Sequence, residues 1–264
     1  MLWWTSLCVA AVVNVALWAY SARRLAARRG DFEPDVYRTR RTVMWLSAVY
    51  VAGCAFRSFL PMVDVPRICL HDTPLSRIFA GRMVATVAEL CFSMQWVFLL
   101  REAGVAFAAR AVVPLLVGAE LFSWLAVLQR NNLFHAIENS LWTIAAALAA
   151  IGVVFLWSEV GERGKRAILA VAVCAAGYVA FMVSYDVPMY LGRWLAGIPV
   201  GTNYPGFGEG LSQLLAKCTV TREWSRWWQD AVWLSAYFTS AVWISIGLGH
   251  LPSLRRHAAV TRLA

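Results

Sequence analysis

Seven ionisable side chains lie inside long apolar stretches of the sequence, where a charged group is costly to place. They are Arg57, Arg82, Glu89, Glu120, His135, Glu138 and Asp186. Insertion scales put a charge at the centre of a membrane-spanning helix at roughly 2.5–3.5 kcal/mol, so such residues usually face the interior of a helix bundle and mark function. Carboxylates, guanidinium groups and an imidazole in this setting suit proton exchange, cation binding, metal ligation or acid–base catalysis.

In one apolar stretch, four polar residues recur at helical spacing. Arg82, Thr86, Glu89 and Ser93 follow intervals of four, three and four, which place them on a single face of a helix. Glu120, in the next stretch, is expected at a depth similar to that of Glu89. We predict that these side chains line a wet cavity that opens on one side of the membrane.

Two further apolar stretches carry the other acidic groups. His135 and Glu138 lie three residues apart and share a helical face, which Asn139 extends. Asp186 stands two residues before Pro188, whose missing N–H predicts a kink near this end of its helix.

The charges of these residues do not balance. The four carboxylates outnumber the two arginines by two when His135 is neutral. Protons, a bound cation or arginines near the span ends must offset this surplus, and the candidate arginines are Arg77, Arg130 and Arg193. The first interpretation is therefore a cation- or proton-linked site for a small ligand, in a transporter or a sensor. Its carboxylates are Glu89, Glu120, Glu138 and Asp186, with Arg57 and Arg82 as counter-charges and His135 as proton acceptor or ligand.

Two other interpretations use the same residues. In a membrane-embedded enzyme, the acidic groups and the imidazole would act as an acid–base pair or as metal ligands, and the ligand candidates are His135, Glu138, Glu89 and Glu120. Di-metal bundles carry paired motifs, whereas His-x-x-Glu occurs once in these spans. In a structural network, Arg57 and Arg82 would each hold a carboxylate and fix the packing of the helices.

The composition places these residues in a membrane protein. Of the 264 residues, 60% are hydrophobic and 15% are charged, against about 45–50% and about 25% in soluble domains. With a mean hydropathy of +0.59, disorder, a coiled coil and a secreted disulfide scaffold are excluded. The net charge of +9 comes mostly from arginines at the ends of apolar runs, so it does not indicate nucleic-acid binding.

The predicted fold is all-α, with seven transmembrane helices in one bundle that forms a single domain over residues 1–264. A membrane span takes about 20 mostly apolar residues. Seven segments satisfy this length: 2–21, 42–62, 78–100, 111–129, 133–157, 167–190 and 229–249. The two long loops, 63–77 and 191–228, are expected on the same side.

Basic residues predict the orientation of the bundle. Fifteen Lys and Arg residues fall on the side that holds 22–41 and the C-terminal segment, against nine on the other side. By the positive-inside rule, the N-terminus and the long loops lie outside and the C-terminus lies in the cytoplasm. In this topology the ionisable residues occupy the middle or outer half of the membrane, and none occupies the inner half. The absence of eukaryotic targeting signals favours a bacterial inner membrane, and the lipid bilayer is the expected partner.

Cysteine and lysine positions add two expectations. Each long outer loop holds one cysteine, Cys69 and Cys218, and an oxidising compartment would join them in a disulfide over the mouth of the bundle. The lysines are Lys165 and Lys217, both in predicted loops, so the last span has no lysine for a retinal Schiff base. The cofactor is therefore unknown, with a single metal ion as the candidate.

Overall fold

The computed structural model describes residues 2–197 and 204–254, and most of them belong to a bundle of seven long helices. These helices are α1 (Leu2–Ala27), α2 (Pro34–Phe59), α3 (Ile78–Glu102), α4 (Ala106–Gln129), α5 (Asn132–Val154), α6 (Glu162–Gly197) and α8 (Trp224–Leu248). All seven are long and apolar enough to cross a membrane. The predicted number of long apolar helices, in one bundle, is confirmed.

The first two helices extend well beyond the apolar segments predicted for them. The stretch 22–41 is largely helical rather than a loop, since α1 continues to Ala27 and α2 begins at Pro34. Proline suits the first turn of a helix, because its fixed φ is helical and its missing N–H has no partner to lose there. Arginine is a good helix former, so both helices continue where hydrophobicity ends. Of the basic residues counted on this side, Arg255, Arg256 and Arg262 lie outside the described residues.

The sixth helix departs most from its prediction. Instead of ending at 190, α6 continues to Gly197, so the predicted loop 191–228 begins as helix. A five-residue π-helical turn, Met182–Asp186, lies just before Pro188 and takes the place of the predicted kink. Lys165, expected in a loop, lies in the first turn of α6. A second π-helical turn, Tyr237–Ala241, interrupts α8.

The helices pack side by side in chain order from α1 to α6, and α8 returns to pack on α1 and α2. One apolar cluster joins α3, α4 and α5 around Val112 and Ala145. A second cluster joins α1, α2, α3 and α8 around Val51, Leu234 and Val242. Between helices this apolar, association in lipid depends on close packing and polar contacts rather than on the hydrophobic effect.

One end of the bundle carries a small cap, formed by residues 60–77 and 204–223. Its strands are β1 (Met62–Val63), β2 (Ile68–Cys69) and β3 (Thr219–Val220), and β2 pairs antiparallel with β1 and parallel with β3. A disulfide joins Cys69 to Cys218, which confirms the predicted bridge. These short strands are the one departure from the predicted all-α class within the described ranges. We refer to this end as the cap end and to the opposite end as the base end.

The described part of the predicted loop 191–228 also contains a short helix, α7 (Phe207–Leu215), which rests on the end of α4. Gly210 permits this contact, because a Cβ atom there would lie 2.2 Å from the carbonyl oxygen of Leu128. Two 3-10 turns, Arg29–Asp31 and Pro74–Ser76, complete the regular structure of the described residues.

A buried arginine ties the two halves of the cap together. Arg67 donates through Nη1 to Oε1 of Gln213 at 2.6 Å and through Nη2 to the carbonyl oxygen of Val127 at 2.9 Å. Burial, together with the positive charge of Arg130, lowers the pKa of Arg67. The cap is thereby fixed to the end of α4 by side-chain contacts as well as by the disulfide.

Candidate functional site

Arg82 is the centre of a buried group of carboxylates near the cap end. Its Nη2 atom contacts a carboxylate oxygen of Glu89 and lies 3.3 Å from Oε2 of Glu120. Its Nη1 atom lies 3.9 Å from Asp64 and 3.8 Å from Glu138. Four carboxylates therefore share one guanidinium group, and all but Glu89 have side chains only 8% exposed. We refer to these five residues as the Arg82 cluster.

Four separate elements bring the Arg82 cluster together. Arg82 and Glu89 lie two helical turns apart on one face of α3. Glu120 comes from α4, Glu138 from α5, and Asp64 from the turn that follows β1. Because α3, α4 and α5 are neighbours in the bundle, their acidic residues converge on the same guanidinium.

The polar stripe predicted on α3 supports this arrangement. Nε of Arg82 donates to Oγ1 of Thr86 at 3.3 Å, and Thr86 accepts a second hydrogen bond from the indole N–H of Trp124 at 3.1 Å. Ser93, one turn beyond Glu89, donates its hydroxyl to the carbonyl oxygen of Glu89 at 2.6 Å. These bonds hold Arg82 extended along the helix toward Glu89.

His135 and Asp186 form a second polar group beside the Arg82 cluster. Nδ1 of His135 lies 2.8 Å from Oε2 of Glu138, and Nδ2 of Asn139 donates to Asp186 at 2.5 Å. The ring of Tyr190 lies 4.9 Å from the imidazole, centroid to centroid. Asp186 is the last residue of the π-helical turn in α6, and this turn brings it to α5.

Arg57 does not hold a carboxylate as predicted. Its Nη2 atom donates to the carbonyl oxygen of Met62 at 3.1 Å, and its guanidinium lies 5.6 Å from the ring centroid of Trp233. Its Nε atom is buried and has no hydrogen-bond partner among the described residues. Of the two arginines proposed as counter-charges, only Arg82 forms ion pairs in the described part of the chain.

Two further buried ion pairs are not apparent from the sequence. At the base end, Arg40 donates to both carboxylate oxygens of Glu102, at 2.8 and 2.9 Å. The early start of α2 carries Arg40 into the bundle, so buried ionisable residues are not confined to the cap end. Near the cap end, Arg193 binds Asp230 at 3.1 and 3.0 Å, so Arg193 does not offset the carboxylate surplus.

Asp64 is the member of the Arg82 cluster that sequence reasoning missed. It falls in the predicted outer loop 63–77, directly after an apolar stretch. Only its place at the mouth of the bundle signals a role, because nothing in its spacing links it to the helical residues. The turn after β1 folds it inward, where its side chain is 8% exposed.

Two carboxylate oxygens of the Arg82 cluster are buried without a hydrogen-bond donor among the described residues, Oδ1 of Asp64 and Oε1 of Glu120. Most buried polar atoms in proteins have a partner. Glu89 and Glu120 both contact the Nη2 atom of Arg82, so their two negative charges lie close together and repel each other. The cluster therefore has unmet capacity for positive charge, which a proton or a bound cation can supply.

A cavity of about 740 Å³ extends from the Arg82 cluster to the base end. Asp64, Arg82 and Glu89 line it at one end, and Arg40 and Glu102 line it at the other. Pockets for small molecules usually measure roughly 300–1,000 Å³, so the cavity is large enough for a ligand rather than for an ion alone.

The segment after α8 closes the cavity at the base end. Nε of Arg40 donates to the carbonyl oxygen of Leu251 at 2.7 Å, and its Nη2 atom donates to that of Pro252 at 3.1 Å. Leu254 is buried against the bundle. Arg40 thus holds both Glu102 and this segment in place.

Four aromatic side chains form a continuous wall along the cavity. The ring of Tyr50 stacks on Phe92 with centroids 4.7 Å apart, Phe92 meets Trp96 edge-on at 5.1 Å, and Trp96 meets Trp142 at 5.9 Å. All four line the cavity, and we refer to them as the aromatic wall. Aromatic faces attract organic cations through their quadrupoles, so the wall complements the carboxylates beside it.

The four predicted metal ligands contact other charged or titratable side chains. His135 pairs with Glu138, while Glu89 and Glu120 contact Arg82. Across residues 2–197 and 204–254, no group of three or more His, Cys, Asp or Glu side chains is arranged to hold a metal ion. The described geometry gives the metal-dependent interpretation no support.

Comparison with known proteins indicates no function for this chain. No protein-family model, no curated protein and no solved structure matches the chain.

Proposed function

We propose that this chain is an integral membrane protein that binds an organic cation at the Arg82 cluster in exchange for protons, as the binding step of proton-linked transport. One observation carries the proposal: four carboxylates share the guanidinium of Arg82. Intramembrane ionisable groups with this arrangement are typical of ion and proton pathways.

The charges around the cluster support the exchange. Asp186 adds a fifth carboxylate beside it, whereas Arg57 and Arg67 add two guanidinium groups that form no ion pair with it in the described ranges. When His135, which contacts Glu138, is neutral, five carboxylates then face three arginines. At an effective dielectric constant near 20, two like charges about 4 Å apart repel by roughly 4 kcal/mol, so the surplus must be neutralised. A proton and a cation compete for the same oxygens, and this competition couples cation binding to proton release.

Transport further requires a route through the bundle, and the cavity supplies part of such a route. The positive-inside rule assigns the cap end to the outside, and the disulfide in the cap suits an oxidising outer compartment. From the cluster, the cavity continues toward Arg40 and Glu102, where the segment after α8 closes it. A route through the bundle would need this base-end closure to open.

Proton release on ligand binding tests the proposal. The probe is tetramethylammonium, which carries no titratable proton, added to the purified protein in phosphatidylglycerol nanodiscs with a pH-sensitive dye. We expect saturable proton release from the wild type and its loss in a Glu89→Gln/Glu120→Gln double variant. Glu162→Gln, an exposed residue at the base end, serves as the matched control and should release protons as the wild type does. A wild type without saturable release, or a double variant that keeps it, would overturn the proposal.

A membrane-embedded enzyme is the second candidate, and one contact favours it. Nδ1 of His135 lies 2.8 Å from Glu138 in the cavity wall, an arrangement that suits general acid–base catalysis. Elemental analysis of the purified protein tests the metal-dependent form. Stoichiometric Fe, Mn, Cu or Zn that disappears in a His135→Ala/Glu138→Gln variant would support an enzyme, and its absence from the wild type would exclude that form.

A structural ion-pair network is the third interpretation, and the same variants separate it from the others. In that case the Glu89→Gln/Glu120→Gln variant changes only the thermal stability of the protein. No quaternary ammonium probe then releases protons from the wild type.

A further inference from the structure

Part of the cavity lies between α6 and α8. Val173, Cys174 and Gly177 of α6 line the cavity and are exposed. Ser240 and Gly247 of α8 face them in the same way. We refer to this gap as the lateral cleft.

The lateral cleft is lined mainly by apolar residues, in contrast to the Arg82 cluster, which lies nearer the cap end. Ala170 and Val171 line it on α6, and Ile244 and Leu248 line it on α8. Cys174, within the cleft, lies twelve residues before Asp186 along α6, which corresponds to about 18 Å at 1.5 Å per helical residue. The cavity thus has carboxylates near the cap end. The lateral cleft forms a long apolar slot between them and the base end.

We infer that the ligand is a lipophilic cation with a single alkyl chain, whose charged head contacts the Arg82 cluster and whose chain lies in the lateral cleft. The inference rests on the proposed function and adds the substrate class. Oδ1 of Asp64 supports it, because Asp64 lines the cavity, is 7% exposed and leaves this oxygen without a hydrogen-bond partner among residues 2–197 and 204–254. The aromatic wall flanks the same space and favours an organic head group.

Each half of the cavity excludes a simpler occupant. An uncharged chain would fill the slot but leave the carboxylate surplus without a counter-charge. A small cation would neutralise the carboxylates but leave the apolar slot unfilled, and the burial of alkyl groups supplies much of the affinity in sites of this kind. A molecule with both parts matches both halves of the cavity.

Two glycines of the cleft allow it to be filled without disturbing the helices. A Cβ atom at Gly177 or at Gly247 would meet no atom within 4 Å, so Gly177→Leu and Gly247→Leu add bulk at two positions that line the slot without a clash at the helix. Gly192 is the matched control. It also lies on α6, is exposed and has open space at its Cβ position, but it is not among the residues that line the cavity.

The experiment compares two quaternary ammonium probes in phosphatidylglycerol nanodiscs, whose lipid head group carries no cation. Proton release is titrated with tetramethylammonium and with dodecyltrimethylammonium. We expect the long-chain probe to act at a lower concentration in the wild type and in Gly192→Leu. In Gly177→Leu and Gly247→Leu, its half-saturation concentration should rise roughly tenfold or more, while that of tetramethylammonium stays unchanged. Since partition into the bilayer is the same for all variants, the difference between cleft and control variants reports the cleft.

The outcomes separate this inference from the proposed function. If Gly177→Leu and Gly247→Leu behave as Gly192→Leu does, the chain does not occupy the cleft, although cation exchange at the cluster still stands. If dodecanol displaces the long-chain probe at equal concentration, the cleft does not select a charged ligand and the inference is wrong. If phosphatidylcholine nanodiscs abolish the response, a bilayer lipid with a cationic head group is the occupant instead. If neither probe releases protons from the wild type, the proposed function itself fails.

Discussion

The two ends of the cavity each hold a buried arginine, but their charge balance differs. At the base end, Arg40 meets a single carboxylate, Glu102, through two hydrogen bonds, and backbone carbonyls accept two more. At the cap end, Arg82 meets four carboxylates, and two carboxylate oxygens lack a donor in the described structure. The balanced pair has no capacity left for a ligand, whereas the unbalanced cluster does. Charge balance, rather than burial, is therefore the feature that separates these two regions.

Removal of Arg82 should have the largest effect on stability. We expect Arg82→Gln to destabilise the fold by about 5 kcal/mol, the upper end of the range for breaking a buried ion pair, because four carboxylates lose their shared cation. SDS titration in mixed micelles, followed by circular dichroism, measures the change. Arg38→Gln, an exposed position on α2, is the control. A loss no larger than that of the control would show that Arg82 does not neutralise the cluster.

Removal of the base-end carboxylate should have the next largest effect. We expect Glu102→Gln to destabilise the fold by about 3 kcal/mol, the lower end of the same range, because Arg40 loses its counter-charge but keeps two carbonyl acceptors. The same titration measures it against Glu162→Gln, an exposed carboxylate that should show no measurable change. If the two variants are equally stable, the base-end pair is not a clamp.

Disruption of the contact between the cap and the bundle should have the third largest effect. Gly210→Ala would place its Cβ atom against the backbone of Leu128, and overpacking of this kind usually costs about 1–3 kcal/mol. Gly208→Ala, on the same helix with open space at its Cβ position, is the control. We expect faster reduction of the Cys69–Cys218 disulfide by dithiothreitol in Gly210→Ala alone. Equal rates in the two variants would mean that α7 does not hold the cap closed.

The number of helices could be predicted from the sequence, and their ends could not. An apolar run of about 20 residues is a strong signal because the bilayer fixes its length. The ends of the helices depend on capping and on charged residues that are compatible with a helical backbone. For this reason the predicted spans exclude 22–41, although Arg40 lies within α2. For the same reason the balanced pair at the base end had no sequence signal.

The candidate site was predictable where its residues share one helix. Arg82 and Glu89 are joined by helical spacing, which a sequence shows directly. Asp64 comes from a turn whose position depends on a three-stranded sheet and a disulfide, so its place beside Arg82 requires the folded cap. The partners of Arg57, a backbone carbonyl and an indole ring, likewise follow from tertiary packing rather than from any spacing.

The smallest effect that we expect is a gain in stability, opposite in sign to the loss expected for Glu102→Gln. It therefore compares the two ends of the cavity most directly. Glu120→Gln keeps the shape of the side chain and removes one negative charge from a cluster that has a surplus. Its amide can donate a hydrogen bond to Glu89, whose carboxylate contacts the same Nη2 atom of Arg82. We expect a gain of about 1 kcal/mol, the usual net value of one hydrogen bond, measured by the same SDS titration at neutral pH. The variant loses the 3.3 Å contact with Arg82, but three carboxylates still neutralise that guanidinium. A loss of stability like that of Glu102→Gln would show that the four carboxylates are already balanced within the fold, and the cluster would then be a clamp of the same kind as the pair at the base end.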